Sequence, residues 1–118
     1  MIWAKVASFF LFLGVALGAF GAHALKEKLT PYSIDIFKTG VLYHMIHALG
    51  LFAVAWISTQ TQDPRVFWAG LALTIGIILF SGSLYLLAVT GVKILGAITP
   101  LGGLSFLIGW LLLFLASK

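Results

Sequence analysis

Four apolar stretches, each long enough to cross a bilayer, leave this chain few folds to choose from. They run over Ile2–Leu25, Ile36–Ser58, Val66–Val89 and Ile94–Ala116. A spanning helix takes about 20 predominantly apolar residues. The stretches do not alternate apolar with polar residues, which excludes barrel strands. Of 118 residues, 62% are hydrophobic and 8% charged, against about a quarter charged in a soluble domain. Such a chain cannot cover a water-facing surface. The expected fold is all-α, an integral membrane antiparallel four-helix bundle forming one domain over residues 1–118.

The links carry the helix breakers. "KEKLTPYSID" (Lys26–Asp35) and "TQTQDPR" (Thr59–Arg65) are polar and hold Pro31 and Pro64. "TGVK" (Thr90–Lys93) is so short that the third and fourth helices must form an antiparallel hairpin. Lys5, an apolar run and "AHA" (Ala22–Ala24) resemble a signal peptide with its cleavage site. The run from Val6 to Ala22 exceeds a typical signal core, so it is read as the first transmembrane helix.

Four crossings bring both ends of the chain to one side of the membrane. Lys26, Lys28, Lys38 and Lys93 lie on the opposite side, against Lys5, Arg65 and Lys118 on the first. That small excess leans toward both termini being outside. All four tryptophans fall toward the side of the termini, as an interfacial belt would, and the three tyrosines fall toward the other. The basic residues form no patch interleaved with aromatics, so the net charge of +4 does not suggest nucleic acid. Lys26, Lys38 and Lys93 are placed to rim the membrane and touch lipid phosphates. With no cysteine there is no disulfide and no thiolate chemistry.

At a rise of about 1.5 Å per residue, every helix brings polar groups to the same half of the bilayer. They are His23 from the first helix, Tyr43, His44 and His47 from the second, Ser81, Ser83 and Tyr85 from the third, and Thr99 and Pro100 from the fourth. Tyr43 and His47 share a face at i, i+4, and the expected geometry turns His23, Tyr43, His47, Ser81, Tyr85 and Thr99 inward. His47 is expected to bond Tyr, Ser or Thr groups of the other helices. Pro100 is expected to leave the Gly96 carbonyl without its helical donor. One reading of this cluster is interhelical glue. The other is a functional site, the usual reading of ionisable groups within a membrane.

Small residues also recur at helical spacing. Gly14, Gly18 and Ala22 line one face of the first helix, and Gly102, Ser105 and Gly109 one face of the fourth. Such faces pack within a bundle or against another protomer. "LGVALGAFGAHAL" (Leu13–Leu25) echoes "IGIILFSGSLYLL" (Ile75–Leu87) in its glycines, which would suit a parallel repeat of two helices per half.

"GAFGAHAL" (Gly18–Leu25), "TGVLYHMIHALGL" (Thr39–Leu51), "FSGSLYLLAVTG" (Phe80–Gly91) and "LGAITPLGGLSFLIGW" (Leu95–Trp110) resemble the family known as domain of unknown function 423. The resemblance covers nearly the whole chain. It implies a small four-helix protein of the bacterial plasma membrane with no assigned reaction, and its motifs fall on the polar residues named above. The expected function is non-enzymatic membrane organisation or lipid binding. It needs no cofactor and has membrane lipids as partners; homo-oligomerisation is left open. The first alternative is a small-solute or proton transporter or channel, with a histidine relay. The second is haem or metal binding through His23, His44 and His47. Hydrolytic catalysis has the least support, because Ser81 and Ser83 lack a histidine–carboxylate relay in their half of the bilayer, and Glu27, Asp35 and Asp63 are read as loop residues.

Overall fold

The computed structural model describes residues 2–117; Lys118 of the charge comparison lies outside them. Four helices long and apolar enough to span a membrane make up the fold: α1 (Ile2–Leu25), α2 (Pro31–Ser58), α3 (Pro64–Thr90) and α4 (Lys93–Ala116). Helix α2 begins at Pro31 rather than at Ile36. Thr30 is extended and its hydroxyl accepts from the Ser33 amide at 3.1 Å, while Pro31 stands where a helix needs no amide donor. Asp35, expected in a loop, is therefore on the helix. Asp63 starts α3 in the same way, accepting from the Arg65 amide at 2.9 Å ahead of Pro64.

The α3–α4 hairpin turns at Gly91, whose φ of 71° is left-handed. Its amide donates to Leu87 O at 2.8 Å and closes α3. A side chain there meets its own carbonyl, so Gly91→Ala is expected to cost about 1 kcal/mol, read as a lower melting temperature in detergent. Beyond the turn the chain winds tightly through Lys93–Ala97, and the regular α-helix starts at Thr99. Pro100 thus stands in the first turn of the regular α-helix, where its missing amide interrupts no helix interior.

The bundle is flattened, with Cα extents of 48 × 26 × 17 Å. Helices α2 and α3 lie centrally, with α1 packed on α2 and α4 packed on α3. Trp3 does not join an interfacial belt. Its indole is buried over Gly70 of α3, beside the Phe67 ring at 5.6 Å. Gly70 has no side chain to hold it off. Trp56 and Trp68 are exposed.

Helices α1 and α3 each contain one widened π turn, at Ala16–Gly21 and Ile77–Ser81. The offset that carries Gly14 onto Gly76 largely superimposes these turns, and it carries Phe10 onto Ala72 and His44 onto Phe106. In the first hairpin His44 donates to Phe10 O at 2.7 Å. In the second, Ser105, the neighbour of Phe106, donates to Ala72 O at 2.6 Å. The two hairpins repeat one arrangement, in which a side chain of the second helix is tied to the same carbonyl of the first.

Candidate functional site

His44 is the residue that joins the helices. It is buried, with Nε2 2.7 Å from Phe10 O of α1 and Nδ1 2.8 Å from the Tyr85 hydroxyl of α3. A carbonyl can only accept, so Nε2 carries the proton, and an uncharged ring then takes the Tyr85 O–H at Nδ1. Both nitrogens are satisfied. Two glycines make the approach possible. A Cβ on Gly14 would lie 3.4 Å from the His44 ring and collide with Met45. One on Gly40 would lie 2.9 Å from the Tyr85 ring, which rests on that glycine so that its hydroxyl reaches His44.

The other polar groups are spent in the same manner. Ser81, fully buried, donates to Gly40 O at 2.7 Å and pins α3 to α2. The hydroxyls of Ser83 and Thr99 lie 2.6 Å apart and pin α3 to α4, and Ser83 also donates to Phe80 O at 2.9 Å. No fully buried side-chain nitrogen or oxygen among the described residues lacks a partner.

His47 does not bond other helices. Its Nδ1–H donates to Tyr43 O of its own helix at 2.7 Å, and its ring stacks on Phe106 of α4 at 3.5 Å. A single helical turn separates Tyr43 from His47, so this carbonyl is the nearest acceptor. Tyr43 is 38% exposed, its ring against Phe80 at 4.6 Å, and does not face inward. His23 is exposed too, because it stands on the last turn of α1, where it lines an open groove beside the start of α2. The three histidines do not converge, and among the described residues no group of three metal-ligating side chains forms. Pro100 is exposed and contributes no group to the cluster.

The small residues lie as follows. Gly14 and Gly18 face Met45 and Val41 of α2. The next place on that line belongs to Gly21, against Phe37; Ala22, expected there, instead lines an outer groove with His23. Gly102 meets the backbone of Phe80, and Gly109 meets Leu73 and the Ala69 carbonyl. Lys26 and Lys38 flank the groove at Ala22 and His23, whereas Lys93 is exposed at the start of α4.

Sequence reasoning ranked His47 above His44 and missed Gly40, Phe106 and the Phe10 carbonyl. Gly40, four residues before His44, was the available signal. A carbonyl that accepts a side chain leaves no trace in its own residue type.

Residues 17–103 match the family model described as protein of unknown function (DUF423). The chain belongs to the DUF423 family. It is 51% identical over 106 residues to the UPF0382 membrane protein YwdK of Bacillus subtilis (strain 168), covering 89% of this chain and 86% of that one. A UPF0382 membrane protein of Staphylococcus epidermidis (strain ATCC 12228) is 50% identical over 105 residues, covering 89% and 85%. One of Staphylococcus aureus (strain USA300) is 45% identical over 105 residues. No solved structure matches the chain. This DUF423 protein is therefore a membrane protein of a family without an assigned activity, and its polar cluster sits within the matched segment.

Proposed function

We propose that this DUF423 protein is a non-enzymatic, multi-pass protein of the bacterial cell membrane that organises or binds lipids. One observation carries the reading: His44, Ser81, Ser83, Tyr85 and Thr99 are all engaged in bonds between helices. His44 ties α1, α2 and α3 together, Ser81 doubles the α2–α3 link, and Ser83 with Thr99 ties α3 to α4. The Ser81 and Ser83 hydroxyls already bridge helices, and the Nε2 proton of His44 ends on a main-chain carbonyl, which has no proton to pass on. Interhelical bonds of this kind, with close glycine packing, drive helix association where apolar burial cannot. What then faces the environment is the lateral surface, which is lipid-contacting.

Sealed liposomes containing the purified protein provide the test. The expected result is no proton or small-solute flux above that of empty liposomes, together with lipid retained on the protein in native mass spectrometry. Protein-dependent flux would favour a transporter and overturn the proposal.

A further inference from the structure

The last turn of α1 and the first turns of α2 enclose a groove of about 590 Å³ on the side of the membrane opposite the termini. Leu29 and Ile34 form its apolar part; His23, Lys26, Asp35 and Lys38 supply the polar part. Both lysines and Asp35 are exposed. Among the described residues neither lysine is paired with a carboxylate; the ion pair that the structure holds, Arg65–Asp63 at 2.7 Å, lies at the other end of α2 and α3. Two free ammonium groups therefore stand over apolar side chains at the point where two spanning helices leave the bilayer.

We infer that this groove binds the headgroup of a monoanionic phospholipid bearing hydroxyls, of the phosphatidylglycerol type. The inference rests on the lipid-binding reading above and names the lipid class and the place. Lys26 and Lys38 meet the phosphate, a use of lysine in which a compact cation faces an anion without fixed geometry. Leu29 and Ile34 lie against the glycerol and upper acyl carbons. Asp35 can only accept, so it takes headgroup hydroxyls. Two lysines and one carboxylate leave the groove with a single net positive charge when His23 is neutral. A singly negative headgroup balances that charge and a zwitterionic one does not.

The test is native mass spectrometry of the full-length protein with phosphatidylglycerol and phosphatidylcholine added at equal concentration. Phosphatidylglycerol adducts are expected to dominate. Lys26→Gln with Lys38→Gln is expected to weaken them on the order of tenfold, since each lysine at a membrane surface is worth several-fold in affinity for anionic lipid. Lys5→Gln with Lys28→Gln removes the same charge outside the groove and should leave the adducts in place. A millimolar excess of inorganic phosphate should not displace them; displacement would mark a free-anion site and overturn the lipid assignment. Equal retention of both lipids, or equal loss in the two double variants, would overturn the groove while leaving lipid binding standing. Retention of neither lipid by the unaltered protein would overturn both. All four lysines are exposed, so melting temperatures should match and exclude misfolding as the cause.

Discussion

His44→Leu is expected to lower the stability of the bundle by about 1–3 kcal/mol, the cost of leaving a buried polar partner unsatisfied. The Tyr85 hydroxyl would lose its acceptor, and α1 would lose its side-chain tie to α2 at Phe10. His44→Gln carries one donor and one acceptor and should recover part of the loss. Tyr85→Phe made together with His44→Leu should cost less than the two changes summed, because both remove the same bond. His47→Leu is the informative contrast. Its hydrogen bond returns to its own helix at Tyr43 O, and leucine can still pack on Phe106. Its loss should stay below about 1 kcal/mol, the net worth of an ordinary hydrogen bond. Thermal melting in one detergent ranks the variants. If His47→Leu melts as low as His44→Leu, the assignment of His44 as the bridge is wrong.

Gly102→Ala is expected to be as damaging, although it adds only a methyl group. The new Cβ would stand 2.6 Å from Phe80 Cα, with the Phe80 amide nitrogen nearer still. The obstacle is backbone, so relief requires α3 and α4 to part, and overpacking of this kind costs about 1–3 kcal/mol. Gly82→Ala sits in the same half with nothing within 4 Å of its Cβ. It should stabilise the protein by about 0.5–1 kcal/mol, the usual gain for alanine over glycine within a helix. At Gly18 the nearest atom is Val41 Cγ1 at 3.0 Å, a single side-chain methyl rather than backbone, so Gly18→Ala should fall between the two. A Gly102→Ala protein melting with the unaltered one would show that the helices separate at little cost.

These contrasts mark where the sequence was legible. Residue type and run length determined the membrane environment, the four helices and their antiparallel order, because a bilayer demands about 20 apolar residues per crossing and internal satisfaction of every backbone group. The rise along a helix was enough to bring His44, Ser81, Ser83, Tyr85 and Thr99 to a common depth. Thr30 and Pro31 carried a helix start as plain in the sequence as in the structure, but the charges of Lys26–Asp35 argued for a loop, and at an interface charge and helix are compatible.

What depth could not supply was rotation. His44 and His47 lie one turn apart and look equivalent on paper. Only the packing of α1 and α3 on α2 turned one toward Phe10 O and Tyr85 and the other toward Phe106. The π turns at Ala16–Gly21 and Ile77–Ser81 add to this, since each shifts the phase of every later residue on its helix. Burial of Trp3 depended on a gap at Gly70, and exposure of His23 on the open groove between the last turn of α1 and the start of α2. The sequence by itself determined which groups share a layer of the membrane. The tertiary structure alone decided which of them touch, because a hydrogen bond between helices depends on the facing of two backbones far apart in the chain.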